Sequence, residues 1–179
     1  PVAPALAYTE TMTDPGPLIE PLIPALRRYA YALCRDHAAA DDLVQDTLER
    51  ALSRWSSRRQ DGDLRAWLFT IQRNLHVGGH RRDARRGTSV PLDDVALAGT
   101  GASQDATVEA SDVLSAVGQL PEEQKSLLLL VGVEDFSYDE AARILDLPIG
   151  TVMSRLSRAR RALRAIVDGS RLPLLRRVK

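Results

Sequence analysis

The sequence predicts an all-α protein with two small helical domains joined by a flexible linker, the second domain carrying a helix-turn-helix. Apolar residues recur at the 3.6-residue period of buried helix faces, no alternating strand pattern stands out, and residues 87–110 lack a sustained period. Length and a 44% hydrophobic content are typical of a globular chain. We predict an N-terminal extension, native or left by cloning, at residues 1–17, a first domain at 18–86, a linker at 87–110 and a second domain at 111–179.

The first domain begins with two helical patterns. The first covers about residues 18–33, and its start is expected near Pro21 or Pro24 because a helix tolerates proline in its first turn. The second covers roughly residues 39–58. Its expected buried stripe consists of Leu43, Val44, Thr47, Leu48, Ala51, Leu52 and Trp55.

A separate side of this second helix carries an acidic stripe, formed by Asp42, Asp46 and Glu49. The spacing i, i+4, i+7 places the three carboxylates on one face of a helix. For such a stripe alone, a solvated surface is the commoner explanation, so the stripe indicates a binding site only together with other features.

A third helical pattern follows Asp63, a suitable N-cap. Its expected buried residues are Leu64, Trp67, Leu68, Ile71 and Leu75, and Trp67 is expected to pack in the core. We expect this helix to end at Gly78 and Gly79, because each glycine costs about 1 kcal/mol of helix propensity. A cluster of arginines follows at Arg81, Arg82, Arg85 and Arg86.

The second domain is expected to open with a helix capped by Ser111. The buried residues predicted for this helix are Val113, Leu114 and Val117. Residues 121–123, Pro-Glu-Glu, are typical of the start of another helix, because proline and acidic residues are favoured in the first turn.

Residues 137–156, which are followed by a run of arginines, predict a helix-turn-helix. Ser137 and Glu140 form a capping box at the first helix, and the segment before Pro148 ends it. The buried stripe expected for the second helix is Val152, Leu156, Ala159, Leu163 and Ile166. Its outward faces carry Thr151, Ser154, Arg155, Arg158 and Arg161, flanked by Met153, Arg160 and Arg164. A capped partner helix and a short turn favour DNA binding over a merely solvated basic helix.

Charge is segregated along the chain although the formal net charge is zero. Residues 143–179 hold ten basic side chains and two acidic ones, whereas residues 87–110 hold four acidic and no basic ones. A local basic face is sufficient to attract DNA.

Several classes of function are disfavoured. Cys34 is the only cysteine, which excludes a disulfide framework or a cysteine metal site within the chain. No metal-ligand spacing links His37, His76 and His80, and no phosphate-cradling glycine loop occurs, so we expect no cofactor, no metal and no enzyme activity. No apolar run of 18 residues or signal segment is present, which predicts no membrane span and a cytoplasmic location.

Three strings, residues 41–48, 65–74 and 150–160, together resemble the extracytoplasmic-function (ECF) sigma factors of bacteria. The resemblance covers about residues 18–168 and is strongest to the general-stress type of alphaproteobacteria. It implies that Asp42, Asp46 and Glu49 contact the clamp helices of the largest subunit of RNA polymerase.

The resemblance also implies that the first domain binds the minus-10 promoter strand. The loop at residues 56–62 and the following helix are expected to hold that strand, with one base flipped into a pocket on the protein. Asn74 lies where the family places a base-contacting asparagine. The arginines expected to follow the phosphates are Arg73, Arg81, Arg82, Arg85 and Arg86.

In the second domain the resemblance implies binding of the minus-35 promoter element. The expected contacts are Ile149, Gly150, Thr151, Met153, Ser154, Arg155 and Arg158, with Arg160 and Arg161 on the DNA backbone. Many relatives have arginine where this chain has Met153, and a thioether contacts a thymine methyl or packs instead of binding guanine. Arg155 or Arg158 is the preferred guanine contact.

Two other functions remain open. A helix-turn-helix repressor accounts for residues 111–168 but leaves the first domain without a role. A sigma mimic that only sequesters an anti-sigma factor has no need of arginines on the recognition helix. For the sigma factor itself, the resemblance implies a third partner besides polymerase and promoter DNA, an anti-sigma factor that covers both domains.

Overall fold

The computed structural model describes residues 14–59, 61–86 and 113–175, and the regular structure in these ranges is helical. Side chains are described for residues 14–59, 61–79 and 113–169. The linker predicted at residues 87–110 and the predicted cap Ser111 lie outside the described residues. The predicted all-α fold is confirmed.

The first domain contains four α-helices and two short 3₁₀ turns within the described residues. They are α1 (Gly16–Ile19), a turn (Glu20–Leu22), α2 (Ile23–Cys34), α3 (His37–Ser53), a turn (Trp55–Ser57) and α4 (Leu64–Arg86). The second domain contains α5 (residues 113–118), α6 (Glu122–Gly132), α7 (Tyr138–Leu145) and α8 (Ile149–Leu175). No helix in the described ranges combines the length and apolarity that a bilayer span requires.

Short-range interactions set the boundary between α2 and α3. Pro24 lies in the first turn of α2, which confirms one of the two predicted starts. Arg35 adopts a left-handed conformation (φ 57°) that ends α2, and its N–H bonds to the carbonyl of Tyr31 at 2.8 Å. Asp36 then caps α3, because its carboxylate accepts the N–H of Ala39 at 2.7 Å.

The predicted end of α3 at residue 58 is wrong, because the helix stops at Ser53. The N–H of Arg54 bonds to the carbonyl of Ala51 at 3.2 Å, a 3₁₀-type contact that tightens the chain. The prediction that Leu52 is buried is also wrong. Ala51 occupies the buried position, and Leu52, about 100° further round the helix, is 52% exposed.

The predicted end of α4 at Gly78 and Gly79 is wrong, because the helix continues to Arg86. Neither glycine has a positive φ, and a Cβ at either position would meet no atom within 4 Å. The propensity penalty is too small to end a helix that the buried Leu68 and Ile71 hold against the core. Val113, expected to be buried, is 43% exposed on the first turn of α5.

One apolar core includes residues of both predicted domains. The rings of Tyr29 and Phe69 in the first domain have centroids 5.1 Å apart, and Phe136 of the second domain meets Phe69 edge-on at 5.0 Å. Leu127 and Leu130 of α6 are fully buried in the same cluster. The two domains therefore pack on each other in this structure.

Candidate nucleic-acid and protein interfaces

The first helix of the helix-turn-helix has the predicted capping box. The Ser137 hydroxyl accepts the N–H of Glu140 at 3.3 Å, and the Glu140 carboxylate accepts the N–H of Ser137 at 2.7 Å. At the other end Asp146 adopts a left-handed conformation (φ 52°), and the N–H of Leu147 bonds to the carbonyl of Ala142 at 3.0 Å. This pattern is a Schellman cap, so α7 ends through its own hydrogen bonds as well as through the following proline.

The recognition helix α8 buries the first three residues of the predicted stripe, whereas Leu163 and Ile166 are only half-buried. Val152, Leu156 and Ala159 are at most 2% exposed, and Leu163 packs against the core. Seven predicted minus-35 residues are exposed to solvent: Ile149, Gly150, Met153, Ser154, Arg158, Arg160 and Arg161. Thr151 is half-buried, and Met153, at 53%, is the more exposed of the two apolar members. The N-terminal turns of α8 therefore present a mixed apolar and basic face.

The two candidate guanine contacts have different surroundings. Arg158 is exposed, and its Nε donates to the Ser154 carbonyl one turn earlier at 3.3 Å. Arg155 is half-buried on the side that faces α6, where its Nη1 donates to the Glu123 carboxylate at 2.5 Å. The outward position favours Arg158 as the residue that reaches a base edge.

A basic groove runs along the flank of α8 opposite to Arg155. Its volume is about 560 Å³. It is lined by Tyr138, Met153, Leu156, Ser157, Arg160, Arg161 and Arg164. Sequence reasoning missed Tyr138, because only the packing of α7 on α8 brings the first residue of one helix beside the middle of the other.

The acidic stripe on α3 is exposed as predicted. Asp42, Asp46 and Glu49 are all open to solvent, and the Gln45 amide donates to Glu49 at 3.0 Å. The exposed Leu52 lies three residues beyond Glu49, on the next turn of the same face. The structure thus adds an apolar residue to one end of the stripe.

Asn74 is exposed on α4 and opens into a cavity of about 260 Å³ between α3 and α4. The other lining residues are Arg50, Arg54, Ile71, Leu75 and Gly78. Arg73 donates to the side-chain oxygen of Asn74 at 3.3 Å. Sequence reasoning missed Arg50 on α3 and Arg54, the residue that caps its C-terminal end, although their i, i+4 spacing is a signal that two cations share one face.

The remaining arginines predicted to follow the minus-10 strand lie on the last turns of α4. These are Arg81, Arg82, Arg85 and Arg86, whose side chains are outside the described residues. In the preceding loop the Arg58 guanidinium lies over the Trp55 ring at 4.8 Å. Trp67 packs edge-on against Trp55 at 6.2 Å, which confirms its predicted packing role.

Comparisons with known proteins identify the family. Two family profiles match: the Sigma2 domain of PhyR over residues 19–72, and Sigma-70, region 4, over residues 111–163. The ECF RNA polymerase sigma factor EcfG of Rhodopseudomonas palustris is 39% identical over 150 residues, which are 83% of this chain and 83% of that protein. This chain belongs to the ECF sigma factors. The predicted likeness to the alphaproteobacterial general-stress type is confirmed.

Solved structures resemble the fold of this ECF sigma factor. The sigma factor RpoE of Bartonella quintana, in complex with the anti-sigma factor NepR, is 34% identical with a TM-score of 0.76, covering 87% of this chain and 97% of that chain. The anti-anti-sigma factor PhyR of the same organism, complexed with NepR, is 19% identical with a TM-score of 0.55, covering 81% of this chain and 47% of that chain. The second likeness shows a shared fold alone.

In this ECF sigma factor a buried carboxylate joins the two domains. The Glu134 side chain is fully buried, and it accepts hydrogen bonds from Arg28 of α2 at 2.8 and 2.7 Å. Arg65 of α4 donates to the Glu134 carbonyl at 2.5 Å and lies over the Phe136 ring at 4.1 Å. The loop between α6 and α7 is thus held by two arginines of the first domain.

A second polar cluster joins α4 and α6. His76 Nε2 lies 2.9 Å from the Glu122 carboxylate, and Lys125 Nζ lies 2.8 Å from its other oxygen. Burial alone would raise the pKa of Glu122. The hydrogen bonds from His76 and Lys125 have the larger combined effect, so the pKa is lowered to about 2. Burial also raises the pKa of the Cys34 thiol, whose sulfur lies 3.8 Å from His76, to about 11.

Proposed function

We propose that this ECF sigma factor binds core RNA polymerase through α3 and directs it to promoters through α4 and α8. The observation that carries the proposal is the presence on one chain of an exposed acidic stripe and an exposed, arginine-bearing recognition helix. The protein acts by binding and has no catalytic activity of its own. Its place of action is the cytoplasm, where bacterial transcription occurs.

The polymerase contact is assigned to Asp42, Asp46 and Glu49. An exposed carboxylate stripe complements a basic surface, and complementary charge accelerates encounter and selects the partner. Leu52 supplies an apolar anchor beside the carboxylates, which isolated surface charges do not provide. The clamp helices of the largest polymerase subunit are the proposed partner surface.

The minus-10 contact is assigned to the cavity beside Asn74. The Asn74 amide can both donate to and accept from the edge of a flipped base, and Arg50 and Arg54, which line the same cavity, are assigned to the adjoining phosphate. Further along the strand, phosphates are assigned to Arg73, Arg81, Arg82, Arg85 and Arg86. Unstacking a base step costs a few kcal/mol, which these contacts offset.

The minus-35 contact is assigned to the N-terminal turns of α8. Arg158 is the proposed guanine contact, and the exposed side chains of Ile149 and Met153 suit thymine methyl groups. Gly150, Thr151 and Ser154 are assigned to the base edges, and Arg160 and Arg161 are assigned to the DNA backbone. Arg158→Ala should reduce promoter selectivity by about 1–3 kcal/mol. Unchanged protection of the minus-35 element in footprinting would refute this role.

An anti-sigma factor is the proposed regulator. The support is that RpoE of Bartonella quintana, which is similar over most of both chains, was solved in complex with NepR. We propose that release from such a protein starts transcription of stress-response genes. Failure to recover a small anti-sigma protein with the tagged chain from its native host would count against this regulation.

A sigma mimic is the second candidate, because the profile that matches residues 19–72 is the Sigma2 domain of PhyR. A mimic binds an anti-sigma factor but does not need to bind polymerase or DNA. The exposed arginines of α8 favour a sigma factor over a mimic. They do not separate a sigma factor from a simple repressor, but a repressor leaves the acidic stripe without a function.

The test is direct association with purified core RNA polymerase, measured by fluorescence anisotropy of the labelled chain. We expect tight binding by the wild type and binding weaker by about tenfold or more for the triple variant Asp42→Asn, Asp46→Asn, Glu49→Gln. Glu20→Gln, which removes an exposed carboxylate elsewhere in the first domain, is the control and should bind normally. If the wild type binds no core polymerase, a sigma mimic would be the better-supported function.

A further inference from the structure

Glu123 of α6 forms an ion pair with Arg155 of the recognition helix. Arg155 Nη1 donates to the Glu123 carboxylate at 2.5 Å, with the arginine side chain 28% exposed and the glutamate side chain 63% exposed. Glu123 lies in the first turn of α6, a helix that packs along α8. Among the described residues, it is this ion pair that connects a residue predicted to bind DNA with an acidic side chain on another helix.

The position of Arg155 on α8 explains this pairing. Successive residues are about 100° apart round a helix, so Arg155 lies next to the buried stripe and on the flank opposite to Met153. Arg158, by contrast, lies on the outward face, where its Nε bonds only to the backbone within the same helix. From this flank a long side chain reaches the edge of a DNA groove, where phosphates lie, more readily than its floor.

Carboxylate and phosphate are alternative partners for a guanidinium, because both accept its planar fork through charged oxygens. We propose that Glu123 is a positioning residue that occupies Arg155 in place of a backbone phosphate and so limits the affinity of this protein for DNA. Arg155 exchanges partners when a promoter binds. The inference rests on the proposed function only in naming DNA as the ligand, and it reassigns Arg155 from base recognition to a regulated phosphate contact.

The test is the binding of the full chain to a fluorescent duplex of random sequence, measured from about 50 to about 200 mM salt. Glu123→Gln should bind about two- to fivefold more tightly than the wild type, since a surface pair whose glutamate is mostly exposed holds the arginine only weakly. The slope of log affinity against log salt should become steeper by about 0.9, the contribution of one added phosphate contact.

The matched control is Asp139→Asn, which removes an exposed acid from the first turn of the neighbouring helix α7 and changes the net charge equally. It should leave affinity and slope close to those of the wild type. In the double variant Glu123→Gln, Arg155→Gln the gain should disappear, so that the double variant binds like Arg155→Gln alone.

Three results would overturn the proposal. The first is an affinity gain that persists without Arg155, because it would be a general effect of charge. The second is a changed base preference of Glu123→Gln in selection from a randomised duplex pool, because Arg155 would then read a base. The third is the absence of any gain. The measurement needs no polymerase. Failure of the chain to bind core enzyme would therefore contradict the proposed function, but it would not change the interpretation of the DNA-binding result.

Discussion

Arg28 and Glu134, which lie 106 residues apart in the sequence, form a bidentate ion pair across the domain interface. Nε and Nη2 of Arg28 donate to the two carboxylate oxygens at 2.8 and 2.7 Å. Glu134 is fully buried, and Arg65 approaches the same carboxylate at 3.4 Å. A protein that reads two separated promoter boxes needs its domains apart, so we expect this contact to break when both boxes are bound.

Glu134→Gln should loosen the two domains. The neutral amide has one acceptor oxygen and would place its NH2 group against the second Arg28 donor, so we expect the free energy of unfolding to fall by about 1–3 kcal/mol in urea titrations. Asp135→Asn is the matched control, because Asp135 is an exposed neighbour and asparagine tolerates its left-handed backbone (φ 53°). Equal stability of the Glu134→Gln variant and the wild type would contradict a structural role for the ion pair.

Cys34 should react slowly with alkylating reagents in the folded protein. Burial raises its pKa from 9.0 to about 11, which lowers the thiolate fraction near neutral pH by about 100-fold. The alkylation rate should keep rising with pH beyond 9 and should increase in Glu134→Gln, because the thiol lies beside His76, which bonds to Glu122 of the second domain. A rate that levels off near pH 9 would be inconsistent with this burial.

The stability should depend on pH through Glu122. Its folded pKa is depressed to about 2, so its contribution is complete above the ordinary carboxyl value of about 4.5 and is lost as the pH falls towards 2. Glu122→Gln should lower the free energy of unfolding at pH 6 by an amount on the order of 2–3 kcal/mol.

The difference between wild type and Glu122→Gln should shrink steadily in urea titrations at pH 4 and pH 3. Glu20→Gln, at an exposed site, should follow the wild type throughout. A difference that stays constant down to pH 3 would show that the ion cluster with His76 and Lys125 does not contribute in this way.

Gly78→Ala should stabilise α4. The helix continues through this position, and an added Cβ meets no atom within 4 Å, so the gain should be about 0.5–1 kcal/mol in the free energy of unfolding. Circular dichroism and urea titration would measure it. A loss of stability would mean that the helix does not run through Gly78 in solution.

Local signals in the sequence predicted local structure well. The capping box of Ser137 and Glu140 and the buried stripe at Val152, Leu156 and Ala159 are confirmed, because each depends on residues within a turn or two of helix. The exposure of Asp42, Asp46 and Glu49 is confirmed for the same reason. Periodicity fixes which residues share a face, and charge indicates which face stays in water.

Features that depend on distant partners were not predictable. Periodicity alone could not decide that Leu52 stays exposed, since that depends on where neighbouring helices stop. The Glu134 cluster joins α2 and α4 to the loop after α6, and no local pattern marks a buried glutamate with partners 69 and 106 residues away. The pairing of Arg155 with Glu123, 32 residues earlier, also required the packed helices.

The most direct measurement is run-off transcription with purified bacterial core RNA polymerase, the full chain and a set of candidate promoter fragments. We predict discrete transcripts that require the chain, fall sharply with the Asp42, Asp46 and Glu49 triple variant, and persist with Glu20→Gln. The control is that the same core enzyme is active with another sigma factor. If that enzyme then yields no transcript that depends on this chain from any fragment, the account is contradicted.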